Sequence, residues 1–160
     1  MGWHELTAGV AADLTDTSAG QAVQLMFRLL VAGLLGALLG WERQRLHKSA
    51  GLRTHILVAV GSAAFMAVPQ QAGVGSDGLT RVLQGLVAGI GFLGAGCIVK
   101  HATDDQVRGL TTAAGIWLTA GVGVAAGLGR ELSAVLIGAV GWFTLSVVAM
   151  CEHRDRPAAG

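Results

Sequence analysis

Five charge-poor windows, residues 22–40, 54–70, 82–99, 110–128 and 132–151, fill most of the 160-residue chain. A helix rises about 1.5 Å per residue, so windows of this length match the roughly 30 Å hydrocarbon layer of a bilayer. Lipid offers the backbone no hydrogen-bond partner, and a helix satisfies its own amides within one segment. The pattern therefore predicts an all-α integral membrane protein with about five transmembrane helices. Two windows carry weaker signals: THILVAVGSAAFMAVPQ is short and runs into Pro69, and glycines and threonines dilute LTTAAGIWLTAGVGVAAGL. A charged fraction of 13%, against about 25% in soluble domains, agrees with the membrane assignment.

The charges that remain are not spread evenly. The stretch GWERQRLHKSAGLRTHI, residues 40–56, holds Glu42, Arg43, Arg45, Lys48 and Arg53 together with His47 and His55. Loops rich in Lys and Arg are retained on the cytoplasmic side during insertion. Arg43, Arg45, Lys48, Arg53, Lys100, Arg108, Arg154 and Arg156 fall on one side of the five crossings, and Arg81 and Arg130 on the other. This asymmetry predicts an outer N-terminal segment over 1–21, a transmembrane domain over 22–151 and a cytoplasmic tail over 152–160. A cleaved signal peptide fits poorly, because residues 1–21 have no Lys or Arg and the first apolar run carries Arg28. The spacing of Trp3, Leu6, Val10 and Leu14 permits a short helix on the membrane surface, and equally a disordered segment.

Net charge is only +1, so nothing in it points to nucleic acid. Cys97 and Cys151 both lie in apolar runs, where a thiol acts as a small hydrophobe, and no disulfide framework is expected. No motif of hydrolytic, nucleotide-binding or zinc chemistry occurs in a suitable setting, so neither an enzyme nor a cofactor is expected. GIGFLG matches a dinucleotide fingerprint in letters alone, since it lies inside an apolar window.

Glycine is the other abundant feature. Helices in lipid associate through van der Waals contact, which small residues allow. Gly36 and Gly40, Gly85 and Gly89, and Gly123 and Gly127 each have the G-x-x-x-G spacing, and GIGFLGAG adds Gly91, Gly94 and Gly96. That density in the third window predicts a helix packed on several sides, or one that bends to line a site.

Polar groups within or beside the windows are candidates for function, because they are costly in lipid. Arg28 either snorkels to the outer headgroups or pairs with a buried acceptor. Glu42 is expected to pair with Arg43, Arg53 or His55, as a structural salt bridge or as part of a proton or cation relay. Gln84, Thr111, Thr112 and Thr119 serve as interhelical hydrogen-bond groups unless they converge on a site. Asp104 and Asp105 are either solvated loop acids or a weak divalent-cation site.

The combination GWERQ (Gly40 to Gln44), AGLRTHIL (Ala50 to Leu57), GIGFLGAG (Gly89 to Gly96) and VRGLTTAAGIW (Val107 to Trp117) resembles the MgtC/SapB family of bacterial inner-membrane proteins. The resemblance covers roughly residues 25–145. It implies a small multi-pass protein linked to magnesium limitation, annotated in some members as a transport accessory and associated in others with restraint of the F-type ATP synthase. Carried onto this chain, the family's motif positions are Arg28, Gly36, Gly40, Glu42, Arg43, Arg53, Thr54, His55 and Arg81, then the GIGFLGAG glycines and Arg108 to Thr112 with Trp117. Many members have glutamine at position 85, where this chain has Gly85 next to Gln84, and some have asparagine at position 111. The chain ends at Gly160 and so resembles the short SapB-like type, without the soluble C-terminal domain of longer members. The residues and the resemblance together lead to two expectations. The first is a non-enzymatic protein of the inner membrane, most simply a homodimer, that acts through membrane-protein contacts. The second is a transporter or channel for Mg²⁺, another cation or a small solute, with a path along Glu42, Arg43, Arg53, His55, Gln84, Thr111 and Thr112.

Single cysteines placed at position 49 and at position 74 test the orientation. A membrane-impermeant thiol reagent added to intact cells should label the second and not the first.

Overall fold

The computed structural model describes residues 18–100 and 107–148. The N-terminal segment with its possible surface helix, Asp104 and Asp105, the end of the fifth window and the tail lie outside the described residues.

Helix α1 spans Ala19–Arg45, longer than its window at both ends. Ser18 and Gln21 form a capping box at its start: the Gln21 amide donates to Ser18 Oγ at 3.2 Å, and the Ser18 amide donates to Gln21 Oε1 at 3.0 Å. At its end the charged motif stays helical, because Arg43 and Arg45 face the negative end of the helix dipole. Glu42 and Arg43 are thus carried on a rigid helix instead of in a loop.

Helix α2, Leu52–Gln71, continues past Pro69. A proline in the last turn removes only one intrahelical donor, and the amides of Ala72, Gly73 and Val74 close the helix on Val68, Gln70 and Pro69 carbonyls. Helix α3 spans Ser76–Ala95 and α4 spans Leu110–Gly127. Between them, Val99–Lys100 and Val107–Arg108 form a short antiparallel ladder. Gly109, which starts α4, has φ +96°, and a Cβ there would run into the Cys97 carbonyl, so only glycine fits this turn. Helix α5, Glu131–Phe143, passes into a π-helical turn over Thr144–Val148.

Helices α1 to α4 are each long and apolar enough to cross a membrane, and α5 is a shorter apolar helix. The protein is therefore an all-α membrane protein. Helix α2 lies between α1 and α4, α5 closes the bundle against α4 and α1, and α3 rests against α4 and α2.

The core explains this arrangement. Ala32, Leu39, Ala59, Ala63, Val122, Ala125, Ala126 and Ala134 share its main cluster with Leu145, and Ala50, Val58, Ile116 and Ala120 form a second. Side chains this small bring backbones together. A Cβ on Gly36 would lie 2.7 Å from the His55 carbonyl oxygen, and one on Gly40 would lie 2.8 Å from Leu52 Cα. From α4, Cβ atoms on Gly123 and Gly127 would strike the Ala59 and Ala63 carbonyls of the same helix. Two G-x-x-x-G pairs, one from α1 and one from α4, therefore grip the same helix.

Helix α3 differs from the expectation of packing on several sides. Of its residues only Gly94 is buried, against Ala113, while Gly85, Gly89 and Gly91 would meet nothing within 4 Å if given a Cβ. Gly96, just past the helix, is exposed as well. The physical reason is position: α3 sits at the edge of the bundle, and Gly85 and Gly89 line an open groove between α3 and α2 instead of touching that helix.

Gly123→Ala should destabilise the protein by about 1–3 kcal/mol, because the added methyl forces α4 away from the Ala59 carbonyl. Gly121→Ala, on the same helix with nothing within 4 Å of its added carbon, should leave stability equal or raised by up to about 1 kcal/mol. Thermal unfolding in detergent checks both.

Candidate functional site

At the end of the bundle where α1 finishes and α2 and α4 begin, three of the predicted polar residues come together. Arg43 lies on the last turns of α1 and is only 4% exposed, and Arg43 Nη2 donates to Thr112 Oγ1 at 2.7 Å. This bond ties α1 to the first turn of α4. His55, in the first turn of α2, is fully buried, and its Nδ1 lies 2.9 Å from the Gly51 carbonyl oxygen. A carbonyl can only accept, so the proton sits on Nδ1. Gly40 and Gly115 leave the space the imidazole needs: a Cβ on Gly40 would lie 2.9 Å from His55 Cβ, and one on Gly115 would lie 3.7 Å from His55 Nε2.

Arg43 Nε and His55 Nε2 are buried without a hydrogen-bond partner. Glu42 is half-buried and makes no close salt bridge with Arg43, Arg53 or His55, in contrast to the expected pairing, although its charge still acts on the neighbouring Arg43 guanidinium. The helix itself is the reason. Neighbouring residues on a helix point about 100° apart, so Arg43 turns into the bundle and Glu42 away from it. Arg53, Gln84 and Thr111 are exposed and stand apart from the junction. Thr112 and Thr119 are buried, and Thr119 Oγ1 donates to the Gly115 carbonyl on its own helix at 2.8 Å.

The other end of the bundle has its own polar clasp. Arg28 Nη1 donates to Gln70 Oε1 at 2.7 Å and to the Gly127 carbonyl at 3.0 Å. Of the two roles open to Arg28, the structure assigns pairing with a partly buried acceptor. Gln71 Nε2 donates to the Gln21 carbonyl at 2.9 Å. Gly129, with φ +71°, lies so close to the guanidinium that a Cβ would approach Nη2 to 2.7 Å. Sequence reasoning did not single out Gln70, and it quoted Gln44 only as the last residue of the GWERQ motif, without the role it has here: its Oε1 accepts from the Leu52 amide at 3.1 Å and caps α2. The only signal for Gln70 was a polar side chain at the end of an apolar run.

A groove of about 450 Å³ runs between α2 and α3, with Leu57, Phe65, Leu86 and Ile90 on its walls and Gly61, Gly85 and Gly89 among its lining. It is apolar and does not include the Arg43 junction. Among the described residues no group of three or more His, Cys, Asp or Glu could hold a metal ion. The buried charge at the junction is the Arg43 guanidinium, with the half-buried Glu42 carboxylate on the same helix near enough for its charge to act on it.

The model of the MgtC family matches residues 29–154, from α1 past the described end of α5. The chain belongs to the MgtC family. Protein SrpB of Synechococcus elongatus is 48% identical over 151 residues, which cover 87% of this chain and 81% of that protein. Protein MgtC of Salmonella typhimurium is 47% identical over 110 residues, covering 69% of this chain and 46% of its own length. Protein MgtC of Brucella abortus is 52% identical over 127 residues, covering 77% and 52%. The chain thus spans about half the length of these two MgtC proteins. No solved structure matches it. Arg43, His55 and Thr112 all lie inside the segment that defines the MgtC family here.

Thr112→Val keeps the shape of the side chain and removes the acceptor for Arg43. It should destabilise the protein by about 1–3 kcal/mol, the usual cost of leaving a buried donor unpaired. Thr111→Val, at an exposed position, should change stability by less than about 0.5 kcal/mol. Paired unfolding measurements separate them.

Proposed function

We propose that this MgtC-family protein works in the bacterial inner membrane, N-terminus outside and C-terminus in the cytoplasm, as a non-enzymatic factor in adaptation to magnesium limitation or related stress. It acts by docking its exposed α3 face against a transmembrane helix of another protein or of a second copy. The observation that carries this reading is the contrast between its glycines. Gly36, Gly40, Gly123 and Gly127 are occupied by contacts within the chain, whereas Gly85, Gly89 and Gly91 meet nothing. Glycine lowers helix propensity by about 1 kcal/mol relative to alanine, and an open glycine row beside an apolar groove suits close approach of another helix. Salt-dependent attraction between the basic loops and anionic lipid would hold the protein close to such partners. A membrane-embedded subunit of the F-type ATP synthase is one candidate partner, on the strength of the family resemblance.

Transport of Mg²⁺, another cation or a small solute remains the competing reading. It is less well supported, because Glu42, Arg53, Gln84 and Thr111 do not converge, the groove is apolar, and the charge buried at the junction is a guanidinium.

The test is a Gly85→Leu/Gly89→Leu variant. It should fold and insert like the parent, since open space surrounds both positions, while its self-association or partner capture, read by in-membrane cross-linking, falls at least about tenfold, equivalent to about 1.4 kcal/mol. Unchanged cross-linking together with Mg²⁺ flux from the parent in sealed liposomes would reverse the choice between the two readings.

A further inference from the structure

Most of the described glutamines are bonded at helix ends. Gln21 closes the capping box of α1, Gln44 caps α2, Gln70 accepts from Arg28, and Gln71 donates to the Gln21 carbonyl. Gln24 stands within two turns of the start of α1. Gln84 is different. It lies in the middle of α3, Ser76–Ala95, about 12 Å from one end of the helix and about 17 Å from the other at 1.5 Å per residue. It is exposed and makes no hydrogen bond among the described residues. Its carboxamide has two donors and an acceptor that acyl chains cannot satisfy, and its stem is too short to carry them to either interface.

Gln84 belongs to a continuous seam. Asp77, Arg81, Gln84, Ala88, Gly91 and Ala95 follow one another at alternating steps of four and three residues, the spacing that keeps one face of a helix against a neighbour. Every one of them is exposed. The other side of α3 is spent inside the chain: Leu86 and Ile90 pack against the cluster of Ala50, Val58, Ile116 and Ala120, and Gly94 lies against Ala113. Gly85 and Gly89 fall between the two faces, at the groove beside α2. The seam therefore points away from its own bundle, with small residues over the half that follows Gln84.

We infer that this seam is a dimer contact, in which α3 packs on α3 of a second copy about a two-fold axis along the membrane normal. Copies inserted the same way run their α3 helices in parallel, so each seam residue meets its own counterpart at the same depth. Gln84 then faces the second copy's Gln84, and because a carboxamide both donates and accepts, the two exchange N–H···O=C bonds across the axis. Ala88, Gly91 and Ala95 let the backbones approach. An unlike helix would have to bring a polar group to that depth beside its own row of small residues, whereas a second copy brings both. Toward the Ser76 end, Asp77 and Arg81 stand one turn apart with opposite charges and form no salt bridge among the described residues. Across the axis, each Arg81 has the second copy's Asp77 one turn away, and the charges of the four groups balance. This contact rests on the docking role of α3 and gives that role its partner.

The test is a single-cysteine scan of residues 84–95 in the full chain, on a Cys97→Ala/Cys151→Ala background, oxidised in native membranes. Disulfide-linked dimer should peak at positions 84, 88, 91 and 95 and be low at 86 and 90, whose side chains pack inward. Gln84→Leu, at an exposed position, should fold and melt like the parent. Its dimer association constant, read by energy transfer between labelled copies diluted in vesicles, should fall roughly three- to thirtyfold, the range expected for interhelical hydrogen bonds in lipid. Gln84→Asn, which keeps the amide, should lose less. A scan without this period, association that Gln84→Leu leaves unchanged, or equal losses in Gln84→Leu and Gln84→Asn would overturn the inference. If capture of another protein still falls in Gly85→Leu/Gly89→Leu, α3 docks an unlike helix and only the second copy is ruled out; if it does not, the docking role of α3 falls as well.

Discussion

Backbone contact across α2 is the constraint on which the rest of the bundle depends. Gly36 and Gly40 let α1 reach the His55 carbonyl and the Leu52 backbone, and Gly123 and Gly127 let α4 reach the Ala59 and Ala63 carbonyls. In lipid, where burying an apolar side chain against another gains little over burying it in acyl chains, this close approach supplies the dispersion contact that holds helices together. It also sets their rotation. Once α1 presents Gly36 and Gly40 to α2, the stripe Val23, Phe27, Leu30, Leu34, Leu38 and Trp41 must face outward, and these residues are exposed.

The same rotation decides which polar groups meet. Arg43 lies three residues beyond Gly40, so the face that packs on α2 also delivers its guanidinium to Thr112. At the opposite end, Arg28 lies eight residues before Gly36, about two helical turns, and reaches Gln70 and the Gly127 carbonyl. Glycines set the spacing between helices, and arginines at the two ends lock their register. A junction of this kind costs the protein desolvation of a charge, which makes it weak evidence for stability alone and a natural place to look for function.

Sequence reading went far with the fold and less far with the site. The windows, the helical class and the family motifs were legible because apolar length and glycine spacing are local properties. The inward convergence of Arg43, His55 and Thr112 was partly legible, since all three stand in the charged or polar motifs. The partner of Arg43 was not. Adjacency in sequence favoured Glu42, but helical geometry turns neighbouring side chains apart. Gln70 and Ser146 carried no distinguishing signal, because a single polar residue at the end of an apolar run looks the same whether it is solvated or bonded.

What the sequence determined by itself was the membrane as solvent, the helix as the only form its long apolar runs can take there, and the family to which it belongs. These follow from composition and short-range periodicity, which need no knowledge of neighbours. Only the tertiary structure decided which glycines are spent inside the chain and which stand open on α3, and which cation is buried against which acceptor. Both depend on how helices rotate and where each sits in the bundle. Those choices are made by contacts between residues as far apart in the chain as Arg43 and Thr112, which no local pattern contains.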